Sequence, residues 1–315
     1  MSNSNLKKPL IVILGPTASG KTGWAVKLAQ KFNGEIVSAD SRQVYREMDI
    51  GTAKSPRAQI PNFKFQISKP TNNIPQHLID IVNPDEEFTL SDYKKLAIQK
   101  INGIHNRGKI PFLVGGTGLY ISSVIDNLDI PEAKPNKKLR AELESKDIQD
   151  LQTELKQLDL NYYTQIDLNN KRRLIRAIEV CKTTGKPFSK QRKKGEPLFD
   201  VLQIGIRTDK KVLDEKINRR VDEMIANGLV DEVKKLSTKY SPDLPSMSGI
   251  GYAELNAHFN AHLTLEQAID LIKTHTRQYV KKQMTWFRRN ANIQWIDNYE
   301  KAKSLVDNFL DNKFK

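Results

Sequence analysis

LIVILGPTASGKTGWAVKLA, residues 10–29, decides the fold. Leu10–Leu14 is an unbroken apolar, β-branched run that stops at Gly15, as a buried strand does. Lys21–Phe32 reads as the helix that this strand feeds. Between them stands GPTASGKT, Gly15 to Thr22, a match to G-x-x-x-x-G-K-[ST] with the strand before and the helix after that the pattern requires. The residues Gly15, Pro16, Thr17, Ala18, Ser19 and Gly20 form a loop whose backbone N–H groups can turn inward as an anion nest, and the helix after Ser19 adds its positive end. Lys21 brings a charge to the phosphates, and the Thr22 hydroxyl can hold Mg²⁺. The loop specifies linked phosphates and leaves open what they are attached to.

Working outward, Glu35–Ala39 reads as a second strand, ending in Asp40. Ser91–Asn106 has helical spacing, with Ser91 as its cap. Ile110–Val114 is a third buried strand, ending in GGTG. Alternating strands and helices with polar residues at strand carboxyl ends predict a parallel α/β sheet. The texture changes after Ile125. Residues 129–136 carry two prolines, then come charged helical patterns without a clear strand, and Lys193–Pro197 reads as a loop. Strand character returns at Leu198–Ile206 and once more at Asn292–Asp297. The expected architecture is α/β: a P-loop parallel-sheet core flanked by helices over 1–126 and 197–315, with a helical insertion domain over 127–196.

The 315 residues carry 51 Lys and Arg against 37 Asp and Glu, a formal charge of +14. Solubility alone can account for a basic excess, but a polyanionic partner accounts for its distribution. Lys171, Arg172, Arg173 and Arg176 share one helical stretch; Lys190, Arg192, Lys193 and Lys194 follow. No acid stands between Lys273 and Asn290, a stretch holding Lys281, Lys282, Arg288 and Arg289. Trp286 and Phe287 in the same stretch read as core. No apolar run near the N-terminus suits a signal peptide or a membrane span, so a cytoplasmic protein is expected. The one cysteine, Cys181, excludes an internal disulfide and a multi-cysteine zinc site, and reads as a packing residue.

Asp40 lies where open α/β sheets bind ligands. A carboxylate there can act as a general base or meet Mg²⁺ through water; it can also cap a helix. Gly115, Gly116 and Gly118 permit close backbone approach, with Thr117 offering a hydroxyl. The five histidines show no metal-ligand spacing, and His77 reads as structural.

Taken together, GPTASGKT, ADSRQVY (39–45), DIGTAK (49–54), HLIDI (77–81), GGTGLYI (115–121), IGY (250–252) and TRQYVKKQMTWFRR (276–289) resemble, in order and over nearly the whole chain, the tRNA dimethylallyltransferase (tRNA isopentenyltransferase) family of bacterial type. The resemblance implies transfer of a dimethylallyl group from dimethylallyl diphosphate to N6 of the adenine next to the anticodon, position 37, in tRNAs reading codons that begin with U. It points to Asp40 as the base, Thr117 as the residue placing the acceptor and Arg220, with Arg219 as its neighbour, at the diphosphate. It further implies tRNA contacts from Ser41, Arg42, Gln43, Asn169, Asn170, Lys171, Arg172 and Arg173; Lys281, Lys282 and Arg288 join them on the late helix. Gln76, Ala253 and Lys282 depart from the family pattern. The phosphate loop would then hold a leaving group assisted by Mg²⁺. A monomer is expected, since nothing in the sequence signals an oligomer. The alternatives are a related enzyme prenylating free AMP or ATP, a small-molecule P-loop kinase, and a non-enzymatic RNA-binding protein; the basic insertion, GGTGLYI and the intact Lys21, Thr22 and Asp40 argue against them in turn.

Overall fold

The computed structural model describes residues 7–54, 68–71, 74–131, 136–191 and 193–314; Arg192 lies outside them. The chain folds as two compact units, Met1–Val124 with Leu198–Lys315, and Ile125–Pro197.

In the first unit the order is β1 (Pro9–Leu14), α1 (Lys21–Lys31), β2 (Gly34–Ser38), β3 (Ser68–Thr71), β4 (Ile74–His77), α2 (Leu90–Asn106), β5 (Ile110–Gly115) and α3 (Gly118–Ile125). The second unit then supplies α4 (Lys137–Ser145), α5 (Ile148–Leu158), α6 (Leu160–Tyr163), α7 (Lys171–Thr184) and α8 (Phe188–Gln191). The first unit resumes with β6 (Asp200–Ile206), α9 (Lys210–Ala226), α10 (Leu229–Ser237), α11 (Tyr252–Phe259), α12 (Leu265–Phe287), β7 (Ile293–Ile296) and α13 (Tyr299–Phe314).

The sheet runs β3-β4-β2-β5-β1-β6-β7, with six parallel strands and β3 antiparallel at one edge. Leu10 to Ile13 are all fully buried, so β1 is covered on both faces, which is why it reads as a continuous apolar run rather than an alternating one. Ala25, Leu28 and Ala29 of α1 and Ala302, Val306 and Leu310 of α13 pack in one cluster with Ile11, Ile13, Phe112 and Ile204. α2 turns Tyr93, Ala97, Ile101 and Ile104 inward, residues spaced at helical intervals.

Several sequence expectations need correction. The cap of α2 is Thr89, not Ser91: Thr89 and Asp92 form a reciprocal capping box, with Asp92 N–H donating to Thr89 Oγ1 at 3.2 Å and Thr89 N–H to Asp92 Oδ2 at 2.9 Å. β3 and β4 were not expected at all. Each is four residues long and each contains a proline, tolerated at or near a sheet edge. β6 begins at Asp200 rather than Leu198.

His77 is indeed structural. Its Nε2 lies 2.7 Å from Glu35 Oε2, and Arg107 and Lys109 pair with the same carboxylate. Burial opposes the charge of Glu35, but these three partners outweigh it and hold its carboxyl well below the usual range.

The second unit has its own apolar core of Leu143, Leu151, Leu155, Leu174, Ile175, Ala177 and Ile178. Glu179, fully buried, is held by Arg140 and Arg176 and by Asn136 N–H. Arg176, counted among the basic cluster in the sequence, therefore serves this core. Cys181 is buried and accepts a hydrogen bond from Phe188 N–H at its Sγ, as a packing residue can.

Candidate active site

Register brings the site together. Leu14 stands opposite Gly115 and Ser38 opposite Val114, so β1, β2 and β5 end at one level with β5 in the middle. The phosphate loop, Asp40 and Thr117 follow those three ends and therefore share one sheet edge, at strand carboxyl ends where α/β sheets bind ligands.

α1 starts with no side chain capping it; Gly20 takes a left-handed φ of 85°, and Ala18 is left-handed too at 61°. The first N–H groups of a helix have no intrahelical partner. An uncapped N-terminus with alternating handedness just before it is an anion nest. Ser19, by contrast, directs its hydroxyl inward, where Oγ is buried without a hydrogen-bond partner among the described residues, and its N–H closes a turn onto Pro16 O.

Lys21 Nζ donates to Pro16 O at 3.3 Å, keeping the ammonium over the loop. Burial pushes its pKa down to about 8; Asp40 opposes the shift and Arg220 adds to it. Burial also lowers Arg220, against the fields of Asp40 and Glu223. Lys21, Asp40 and Arg220 thus lie within one another's electrostatic reach. Arg219 is exposed and pairs with Glu223 at 3.6 Å, so of the two neighbouring arginines Arg220 is the one facing the phosphate loop's lysine. A cavity of ≈ 850 Å³ opens here, lined among others by Lys21, Thr22, Lys216, Arg219, Arg220 and Met224. Its size lies within the range of small-molecule sites.

On the other side of Asp40 the loop after β2 is tied to the loop after β5. Ser41 N–H donates to Thr117 Oγ1 at 3.1 Å, and Thr117 N–H to Ala39 O at 3.1 Å. Asp40 Oδ1 accepts the N–H groups of Arg42 at 2.9 Å and Gln43 at 3.4 Å. Asp40 therefore caps no helix, since turns follow it; Oδ1 orders the first of them and the carboxylate still stands at the sheet edge. Arg42 reaches the carbonyls of Pro245 and Ser246, drawing the SGIGY loop to the site. Gln43 links Ser38 Oγ to Thr52 O.

Close approaches crowd all three glycines of GGTG, with rigid neighbours at Gly115 and Gly118 and a flexible side-chain end at Gly116. A Cβ on Gly115 would stand 2.1 Å from Ala39 O, one on Gly116 2.3 Å from Gln283 Nε2, and one on Gly118 2.2 Å from the Trp286 ring. Gly51 is likewise covered by the Tyr252 ring, whose hydroxyl donates to Glu232 at 2.7 Å. Glu232 also accepts N–H groups from Asp49, Ile50 and Gly51. Gln283 and Glu232 were missed in the sequence, and Trp286, read there as core, is half-buried with its ring over Gly118. Their signal was present only as glycines on one side and large residues far along the chain on the other. Phe287 is buried, as expected of core.

Lys281, Lys282 and Arg288 are exposed, without an ionic or hydrogen-bonding side-chain partner among the described residues. In the second unit Arg172 and Arg173 are likewise exposed and free of such partners among them. Their neighbours are not. Asn170 caps α7 by accepting Arg173 N–H at 3.2 Å, and Lys171 donates to the carbonyls of Glu144 and Lys146 at 2.7 and 2.6 Å. Both residues thus also finish helix ends inside the unit. Asn169 is exposed.

A parallel sheet with an uncapped, lysine-bearing glycine loop after its central β1 defines a P-loop α/β phosphate-binding protein. Residues 43–290 match the family described as IPP transferase, and residues 8–64 the one described as isopentenyl transferase. The chain belongs to the IPP transferase family. It is 40% identical to the tRNA dimethylallyltransferase of Halalkalibacterium halodurans, covering 98% of this chain and 99% of that one, and 43% identical to that of a Roseiflexus species, covering 96% and 99%. Among solved structures it is similar to the tRNA isopentenylpyrophosphate transferase of Bacillus halodurans, with TM-score 0.69, 40% identity and 98% and 97% of the two chains covered. It is also similar to a eukaryotic dimethylallyltransferase acting on tRNA, with TM-score 0.81, 29% identity and 97% and 80% covered.

Proposed function

We propose that the protein transfers a dimethylallyl group from dimethylallyl diphosphate to N6 of adenine 37, just 3′ of the anticodon, in tRNAs reading codons that begin with U. The products are N6-(dimethylallyl)adenosine and diphosphate. The observation that carries this reading is the convergence of the phosphate loop, Asp40 and Thr117 at one sheet edge, in a chain similar along its length to tRNA dimethylallyltransferases.

In the reaction the allylic C1–O bond breaks and the N6–C1 bond forms. Negative charge grows on the departing diphosphate, and Lys21, Arg220 and the first N–H groups of α1 stabilise it. The exocyclic amine is a weak nucleophile, its lone pair tied into the ring; Asp40 accepts its proton. Thr117, fixed by Ser41 and Ala39, positions the acceptor with Ser41 beside it. Arg42 and Gln43 act by shaping this loop, through the contacts their side chains already make.

Mg²⁺ fits the residues present. Among the described residues no group of three His, Cys, Asp or Glu side chains gathers, as a protein-held ion would need. The exposed Thr22 hydroxyl on the first turn of α1 has no hydrogen-bond partner among them. One hydroxyl, water and substrate phosphates are the usual ligands of a phosphate-bound Mg²⁺. Thr22 would hold it, with Asp40 reached through water, and it would supply charge to the leaving group.

The target base must leave its stack, at less cost in an anticodon loop than in a duplex. Asn169, Asn170, Lys171, Arg172 and Arg173 of the second unit, and Lys281, Lys282 and Arg288 of α12, contact the RNA. The protein works as a cytoplasmic monomer; no helix among the described residues is long and apolar enough to cross a membrane.

The test is incubation with labelled dimethylallyl diphosphate, Mg²⁺ and, separately, unmodified tRNA, AMP or ATP. Label entering tRNA alone supports the reading; label entering only a mononucleotide overturns it. Replacing Arg172 and Arg173 together by alanine should weaken tRNA binding and reduce the slope of log K against log salt by about 1–2, one phosphate contact per arginine. An unchanged slope removes the second unit from the RNA interface.

A further inference from the structure

Gln283 and Tyr279 lie one turn apart on α12, and Gln283 joins the two loops that the reaction must hold in register. Gln283 is buried, and both ends of its amide are used. Oε1 accepts Thr17 N–H from the phosphate loop at 2.9 Å, and Nε2 donates to Gly116 O from the loop after β5 at 2.9 Å. The amide orientation is fixed by its partners, since only an oxygen can accept from Thr17 and only a nitrogen can donate to Gly116. Tyr279 lies beside Gln283, and the Gln283 and Thr117 side chains both act on its hydroxyl. Thr117 in turn accepts Ser41 N–H, the residue after Asp40. A hydrogen-bonded bridge therefore runs Thr17–Gln283–Gly116, from the donor loop to the residue before Thr117, through one helix that also carries Tyr279 beside Thr117. A Cβ on Gly116 would stand 2.3 Å from Gln283 Nε2, so the amide lies close against this backbone.

We propose that the Gln283–Tyr279 pair is a positioning relay that sets the separation of the diphosphate loop from Thr117, and with it the distance between the allylic carbon and the acceptor nitrogen. This rests on the functional reading above. Neither residue needs to touch a reacting atom. Bond formation at C1 requires the two substrates at near-attack distance, and an error of about 1 Å in their spacing costs on the order of 100-fold in rate. β1, β5 and β2 fix where the loops begin, and the relay fixes where they end. A helix-borne clamp suits this task because helix positions are held more rigidly than loop positions.

The variants are Gln283→Met, Gln283→Glu, Tyr279→Phe and the Gln283→Met/Tyr279→Phe double variant, assayed with dimethylallyl diphosphate and unmodified tRNA beside the wild type. Methionine keeps the volume and loses both hydrogen bonds. Glutamate keeps the acceptor for Thr17 and loses the donor for Gly116. Tyr279 is partly exposed, so its phenylalanine variant leaves the fold intact even if a buried substitution at 283 does not. The expected result is a 10- to 100-fold fall in kcat for Gln283→Met and Tyr279→Phe, with KM for both substrates within about threefold, and a double variant no worse than the poorer single one, because residues acting as one unit are not additive. Gln283→Glu should fall between wild type and Gln283→Met. An unchanged kcat in Tyr279→Phe overturns the relay, as does a rise in the tRNA KM with kcat retained, which would make these residues RNA contacts. Additive losses in the double variant also overturn it. A wild type that labels no tRNA defeats the functional reading itself, a result distinct from active wild type with unaffected variants.

Discussion

Asp40→Asn is expected to lower kcat by roughly 10²- to 10⁴-fold, the usual worth of a positioned general base, with tRNA affinity little changed. Asparagine is the informative replacement because Asp40 has two duties. Its Oδ1 accepts the N–H groups of Arg42 and Gln43, and an amide oxygen can keep both bonds. What asparagine cannot do is take a proton from the adenine amine. Asp40→Ala removes both duties, adding the loss of the turn's two hydrogen bonds to that of the base. If asparagine and alanine reduce kcat alike while only alanine lowers thermal stability, the base role stands. If Asp40→Asn keeps wild-type kcat, Asp40 is a turn-former and the proton goes elsewhere. Single-turnover rates with saturating tRNA make the measurement, because they isolate chemistry from product release.

Which parts of this site the sequence disclosed follows from which forces are local. The phosphate loop was legible because strand, glycines, Lys21 and helix all lie within 20 residues and each has a local reason. Asp40 and Thr117 were legible as strand-end residues, since parallel strands buried on both faces announce themselves as apolar runs. Gln283 was not. Nothing within α12 distinguishes it from a surface glutamine, and its partners Thr17 and Gly116 are backbone groups brought near only by tertiary packing. Glu232 was hidden in the same way, a helix acid whose three N–H donors come from the DIGTAK turn. Charge counting in the insertion could not show a related duty: Lys171 and Arg176 belong to the basic cluster, yet the α4 carboxyl end and the buried Glu179 engage them as well. β3 and β4 escaped because four-residue strands containing proline lack a periodic signal.

The second large effect is at Lys21, where charge and pH can be separated. Lys21→Met should reduce kcat/KM for dimethylallyl diphosphate by about 10²- to 10³-fold, the cost of removing one preorganised donor to developing negative charge. The wild type should also show a pH dependence that the variant lacks. Burial holds the free Lys21 at about 8, below its ordinary 10.5. A diphosphate bound against it favours the ammonium and raises that value again. Binding therefore takes up a proton when the free lysine is neutral, and wild-type affinity for inorganic diphosphate should decline as pH rises past 8, by at most tenfold per unit. The ligand itself gains negative charge over the same range, which works in the opposite direction, and Lys21→Met reports that ligand contribution alone. The difference between the two profiles isolates the lysine. For the free protein the sign is the reverse of the usual paired lysine. The unfolded chain binds more protons between about pH 8 and 10.5, so folding stability contributed by Lys21 rises with pH through that window, and saturating diphosphate should flatten the rise. Asp40→Asn sharpens the expectation further. Asp40 is the charge that opposes the burial of Lys21, so its neutralisation should move the wild-type midpoint of the affinity profile to lower pH. Calorimetry in two buffers of different ionisation enthalpy at about pH 9 would detect up to one proton taken up per diphosphate in the wild type. Equal uptake in Lys21→Met would assign the proton to another group, and an unmoved midpoint in Asp40→Asn would show that the two side chains do not share a field across the site.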